Sequence, residues 1–346
     1  MIIQSCILTA GKECKTPIKY VPTRETFDQY AHYYMKEPQE LFDEVNATAC
    51  IENESEEEIS SEEKEDNEIR PTDRIAVALT TEDDELRLDT YLLDSETNAF
   101  YVHHDVFLHG IPTGLAVCDR NEDPLSFVSN EDGTIAIYRM FVTNHFLPDG
   151  IIPAHTSKIN SIVADTTSIL TNDSETIKAW DIATQKNTFT HSRKQKAIAL
   201  KDSLIYFSDE ASVYMVDTRE GKEVKLFTAM NEITSISSTS NSVAAGTISG
   251  DIVYTINQSK ERTFAAHTKK INNLVVSMDR YVVSASSDET ISLFDMENGE
   301  IVERKSTGIE SVTVSLPTDT VNIYAYANED GELSAGSFEE AILRIE

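Results

Sequence analysis

Apolar residues recur along this chain in short bursts, alternating with polar ones. Each burst closes on an apolar residue followed by a polar one. Leu93-Asp94, Tyr138-Arg139, Trp180-Asp181, Val216-Asp217, Ile256-Asn257 and Phe294-Asp295 mark this beat, and Gly336-Ser337 is its weakest instance. The intervals are 45, 42, 36, 40, 38 and 42 residues. Alternation bounded by polar turns predicts half-buried antiparallel strands. The sixth repeat is the clearest: Ala266-His267 opens it, strands follow at 271–277 and 281–285, Asp288 sits in the turn, and 290–295 closes it. The third repeat keeps the same order, from Ala154-His155 through 159–163 and 169–170 to 177–181.

A unit of roughly forty residues holding four short strands is one blade of a WD-type propeller. Seven beats predict an all-β, seven-bladed WD40-type β-propeller. Two β-sandwiches would also space strands with turn signals, but not in this repeated order of opener, strands, turn Asp and W-D-like end. Residues 1–10 are expected to form the inner strand of blade one, with 11–73 looping out as an insertion and 74–346 completing the ring. Residues 100–108 read as the outer strand of blade one and 341–345 as that of blade seven. The two termini then fall in neighbouring blades, and closure depends on packing between them.

In such blades the opening His, a strand Ser or Thr, the turn Asp and the Trp can form one hydrogen-bonded chain. That chain satisfies buried polar groups, so its value is structural. His267, Ser284 or Ser286, and Asp288 fit it in the sixth repeat, with Phe294 in place of Trp and Asp295 following. In the third repeat His155, Trp180 and Asp181 fit, but Ser174 stands at the Asp position and Asp173 comes one residue early. An incomplete network is expected there. The remaining repeats from the second onward lack the opening His.

The insertion has two parts. Phe27, Tyr30, Ala31 and Tyr34 share one face of a helix that Thr23 or Arg24 begins and Pro38 ends. Phe27, Tyr30 and Tyr34 are candidate partner-docking residues, the alternative being that the helix folds back on the propeller. Residues 52–68 hold ten acidic residues and one Lys, a composition expected to remain disordered. Ser55 and Ser60 each have Glu three residues later and are candidate phosphosites.

Charge narrows the partners. The chain carries 29 basic and 60 acidic residues, net −31. Residues 11–73 hold 18 acidic and 7 basic residues, net −11, leaving 42 acidic and 22 basic, net −20, in the ring. Affinity for phosphates needs a basic patch, and the nearest thing is Arg193, Lys194 and Lys196 in one turn. Four cysteines without C-x-x-C spacing suggest free thiols in a reducing compartment. Nothing resembles a leader or a membrane span, so a soluble intracellular protein is expected. His103 and His104 are consecutive on a strand and are expected to face opposite sides, with His103 beside Asp105. No metal, cofactor or catalytic motif is expected.

One stretch is more specific than the repeat. Within residues 69–108, the words I-R-P-T-D-R-I, L-R-L-D-T-Y and F-Y-V-H-H-D-V-F-L resemble the start of the propeller in the periodic tryptophan protein 1 family. The sixth repeat is similar to that family's late repeat. The resemblance implies a nucleolar and nuclear, non-enzymatic scaffold in ribosome biogenesis. Its partners would be pre-ribosomal assembly factors and the large-subunit precursor particle, in rRNA processing. The chain departs from the family in keeping a single Trp, and in lacking the Lys-rich loop and the basic C-terminal tail. A chromatin adaptor binding basic proteins such as histones or ribosomal proteins is the rival expectation, and a ubiquitin-ligase substrate receptor a third.

Overall fold

Alternating apolar side chains at each beat are what let four strands bury both faces against neighbouring blades. The structure, a computed structural model, describes residues 2–9, 16–20, 23–31, 36–43, 45, 68–82, 85–94, 99–108, 110–119, 123–143, 147–317 and 320–339. Seven antiparallel sheets stand in a ring, each running outward strand by strand from the centre, so the chain is a seven-bladed β-propeller. The beats all lie at the ends of third strands, among them Thr176–Asp181, Ser212–Asp217 and Thr290–Asp295.

In blade one, Ile2–Thr9 pairs with Arg74–Glu82, Ile7 opposite Ala76, and Phe100–Phe107 is outermost. Blade seven has three described strands, Ser311–Ser315, Ile323–Asn328 and Leu333–Ser337. The segment 341–345, expected as its fourth strand, lies outside the described residues.

The inner strands are Ile2–Thr9, Pro112–Cys118, Ser161–Ala164, Ile198–Lys201, Ile233–Ser238, Ile271–Ser277 and Ser311–Ser315. Five of them change register near their start, at 2/4, 112/114, 233/235, 271/273 and 311/313. Such bulges add twist and take backbone groups out of the ladder. Side chains of the neighbouring blade bond backbone groups freed there or along the unpaired inner edge of these strands. Gln4 accepts from the Leu115 N–H at 2.8 Å, Ser237 from Val276 at 3.0 Å and Asn273 from Val314 at 3.3 Å. The Asn272 amide donates to the Ser311 carbonyl at 3.0 Å.

Apolar clusters fill the seams between consecutive blades. Phe127, Ile135, Ile162 and Trp180 join blades two and three, and Tyr254, Ile271, Val282 and Phe294 join five and six. The closing seam is built of smaller residues. There Ile7, Ala76 and Ala325 form one small cluster and Ala78 and Ala327 another, with Tyr91, Phe100 and Leu333 half-buried beside them. The Ser5 and Thr313 hydroxyls share a hydrogen bond of 3.0 Å across it.

The insertion folds back on blade two. Ile18–Lys19 pairs in parallel with Val142–Thr143. The helix Arg24–Tyr30 is capped by Thr23, whose hydroxyl accepts from the Thr26 N–H while Thr26 caps the Thr23 backbone. It ends at Tyr30, short of Pro38. Phe27 and Tyr30 are buried with Leu41 and Val45 against Leu147 of blade two. This corrects their reading as partner-docking residues: solvation of exposed aromatic rings is costly, and the protein covers these two with its own surface. Tyr34, residues 52–67, Ser55 and Ser60 lie outside the described residues.

Among the described residues the closing seam offers little apolar area, so local opening should start there. In native-state hydrogen exchange, amides of Ile2–Thr9 and Ser311–Ser315 should exchange well before those of Ile271–Ser277. Uniform protection across all inner strands would contradict this.

Candidate functional site

Two blades carry buried polar chains, and both are more complete than the sequence pattern indicates. In blade six the His267 Nε2 faces the Ser284 Oγ at 2.8 Å, while Nδ1 faces Asp288 at 3.1 Å and Thr290 at 3.1 Å. Phe294 takes the Trp place and stacks on Phe264 at 4.6 Å between ring centres. Ser286 stays out of this chain. Its hydroxyl donates to the Lys270 carbonyl at 2.9 Å and accepts from the Asp288 N–H at 3.1 Å, which shapes the turn.

Blade three corrects the expectation of a broken network. The Trp180 indole donates to the Thr171 hydroxyl at 3.1 Å, Thr171 meets His155 Nε2 at 3.0 Å, and His155 Nδ1 meets Asp173 at 3.1 Å. The hairpin here is one residue shorter between its Thr and the strand that follows. This moves the two partners in opposite directions: counted back from the closing aromatic, Thr171 stands one position later than Ser284 does and Asp173 one position earlier than Asp288 does. Thr171 was missed because it stands out of phase with the repeat. The signal available was the adjacent T-N-D word before a T-I pair.

Asp181 and Asp295 hold turns rather than joining these chains. Asp181 accepts from the Thr184 N–H and hydroxyl at 2.7 and 2.6 Å. Asp295 accepts from the Glu297 N–H at 2.9 Å and pairs with Arg280 at 2.6 Å.

Ser284, His267 and Asp288 have the connectivity of a hydrolase triad. Access is what they lack. Ser284 and Thr171 are both 0% exposed, and neither lines the central channel. A buried hydroxyl inside a strand pair has no room for an acyl group, so these chains are structural.

Electrostatics agree with that role. Burial pushes both imidazoles below their ordinary value, although Asp173 and Asp288 pull the other way. Burial tends to raise the two carboxyls. Hydrogen bonds from Glu175 and Thr176 to Asp173, and from Thr290 and Thr268 to Asp288, outweigh it and hold each at about 2.

The ring encloses a central channel of about 510 Å³ lined by all seven inner strands. Its wall is mostly neutral and polar, with Gln4, Asn160, Thr234, Asn272 and Thr313 among the lining residues and Lys196 at one mouth. The turn at 193–196 is not a basic patch. Arg193 pairs with Glu223 and with Asp209 at 3.4 Å and lies 3.8 Å over the Tyr214 ring, while Lys196 pairs with Glu232 at 2.5 Å.

His103 and His104 do not face opposite sides. Thr90 pairs with His104 and Tyr91 with Val102, so His103 is the extra residue of a bulge in its own strand, and the two Nδ1 atoms lie 2.9 Å apart. His104 Nε2 faces the Met140 carbonyl at 3.0 Å, so it carries the proton, and His103 donates to His104. Among the described residues no group of three His, Cys, Asp or Glu side chains is placed to hold a metal. No helix among them is long and apolar enough to cross a membrane.

Replacing Thr171 by Val strands the Trp180 N–H and the His155 Nε2 at once. Ser284→Ala strands a single nitrogen, because Phe294 has no donor. Thr171→Val should therefore cost about 1–2 kcal/mol more in urea unfolding than Ser284→Ala; equal costs would count against the blade-three chain.

Acid should also destabilise the fold. The unfolded chain protonates its imidazoles at about 6.5, above the folded values, so stability falls as pH drops through that region. The carboxyl contribution is lost as pH falls from the ordinary carboxylate value toward about 2. The urea midpoint should fall from pH 7 to 5.5, and fall less in a His267→Asn chain. An equal drop in both chains would refute the assignment.

No protein-family model matches the chain. Among solved structures, the WD40 beta propeller domain of Doa1 is similar over 77% of this chain and 90% of that one, with 12% identity and a TM-score of 0.63. The computationally designed Ika8 protein is similar over 76% of this chain and 80% of its own, at 17% identity and a TM-score of 0.57. At these identities the likeness concerns the fold alone, and the fold is that of a WD40-type propeller.

Proposed function

We propose that the protein is a non-enzymatic scaffold that organises protein partners in ribosome biogenesis, on precursors of the large subunit, in the nucleus and nucleolus. WD40 propellers generally serve as interaction scaffolds, and the Ser284 and Thr171 hydroxyls of the His networks are sealed from a substrate. The observation that carries the finer reading is where the family-like segment lies. Residues 69–108 build most of blade one, and its outer strand turns Tyr101, Val102 and Phe107 to solvent, 37%, 48% and 47% exposed. Exposed apolar side chains on an edge strand suit a protein partner.

The ring's net charge of −20 and the paired Arg193 and Lys196 favour contact with proteins over direct contact with rRNA. The same charge supports the second reading, a chromatin adaptor that engages basic histone segments.

Sedimentation of tagged protein from its native cells separates the two. A scaffold of pre-ribosomal particles should migrate with large-subunit precursor rRNA and assembly factors in a salt-resistant way. A Val102→Glu, Phe107→Glu chain should stay folded and leave those particles. Histones that are released as salt screens the charge, without precursor rRNA, would replace the first reading with the second.

A further inference from the structure

Blades four and five do not close against each other along their full height. The outer strand of blade five, Arg262–Ala265, pairs only with residues 251–254, so Thr255 and Ile256 at the end of the third strand have no outer-strand partner, and the turn bonds Thr255 instead, its hydroxyl donating to the Ser259 carbonyl at 2.8 Å. In blade six, by contrast, Glu300–Ser306 covers its neighbour through Asp295. The turn after Ile256 takes Asn257 and Gln258 through the left-handed region, at φ 51° and 53°. The seam there holds a cavity of about 230 Å³.

Its floor is Tyr206, Met215 and Leu226 of blade four with Val243 of blade five, and Asn257 and Gln258 stand at its rim. Tyr206 is 4% exposed, and among the described residues its hydroxyl, which is not itself sealed from solvent, has no hydrogen-bond partner. A buried phenol is normally bonded, so this one is an open donor in the cavity wall. Among the described residues no carboxylate, ammonium or guanidinium lines the cavity, although the chain as a whole carries net −31.

These features select an occupant. The cavity is smaller than the roughly 300–1,000 Å³ typical of small-molecule and cofactor sites, and it suits one large side chain. The neutral wall disfavours a charged group, which would be desolvated without a counter-ion. Amide side chains at the rim both donate and accept, as a peptide backbone does.

We infer that the cleft between blades four and five docks an extended, uncharged peptide segment of a partner protein. One aliphatic or aromatic side chain inserts against Met215, Leu226 and Val243. The segment's backbone bonds to Asn257 and Gln258, and one of its carbonyls accepts from Tyr206. This deepens the scaffold reading and rests on it.

The test uses the full chain labelled with ¹³C at its seven methionine methyl groups. Met215 reports on the cleft. Met230, 96% exposed in the loop before blade five, lies at the opposite face and serves as control. Met215→Leu and Met230→Leu assign the two signals. The probes are capped serine-glycine pentapeptides with leucine, phenylalanine, aspartate or lysine at the centre.

The Met215 signal should shift saturably with the leucine and phenylalanine peptides and stay put with the charged ones, while Met230 does not move. Tyr206→Phe keeps the packing and should weaken binding about fivefold. Leu226→Trp should fill the cavity and abolish the shift, with Gln258→Ala at the exposed rim as a milder second variant. A Met215 signal unmoved by every peptide, an equal response to all four, or a matching shift at Met230 would overturn the inference. Such a failure leaves the scaffold reading standing, because co-sedimentation from native cells measures that separately. Peptide binding without co-sedimentation would strike the scaffold reading and leave the cleft in place.

Discussion

Seven inner strands must converge on one channel without leaving their backbone groups unpaired, and the rest of the molecule depends on how they do it. Strands that close to an axis have to twist sharply, and five of the seven do so by bulging near their start. A bulge frees amides and carbonyls that cost free energy if buried alone. Gln4, Ser237, Asn272 and Asn273 bond such groups, and others on the unpaired inner edges of the strands, by reaching into the neighbouring blade. The polar lining of the channel is therefore part of what holds the ring together. The apolar seams add stability, and the blade order follows from both.

The buried His chains obey the same constraint. Each satisfies polar groups inside a blade, and each happens to reproduce the connectivity of a catalytic triad. Geometry at the level of three side chains would not distinguish the two uses; exposure does. Ser284 and Thr171 are sealed within strand pairs, and the depressed imidazole and carboxyl values report burial and hydrogen bonding at structural positions. Perturbed titration marks functional sites only where a substrate can approach.

What is left for function is surface. The insertion spends its aromatic face on blade two, so it works as a brace for that blade more than as a free arm. Exposed apolar character remains on the outer strand of blade one, and a cleft with half-buried Met215 and Leu226 opens between blades four and five. Basic side chains in the turn at 193–196 are bound to carboxylates of their own ring, which leaves an acidic disc suited to protein partners.

The period of the apolar beat determined the architecture by itself. Strand alternation and a forty-residue repeat are local properties, and each beat, from Leu93 to Gly336, ends a third strand because only that strand carries the W-D-like close. The blade-six chain was legible for the same reason: His267, Ser284 and Asp288 sit in phase. Thr171 and Asp173 were not, since a hairpin one residue shorter moves partners out of phase while keeping them within reach of His155. His103 and His104 came together because His103 is the extra residue of a bulge, and its place is set by the pairing of the whole strand with Glu85–Leu93. The inward turn of Phe27 and Tyr30 and the short outer strand that stops before Thr255 are likewise decided across the fold. They depend on which surfaces meet, and a strand's sequence does not state how far its neighbour will extend beside it.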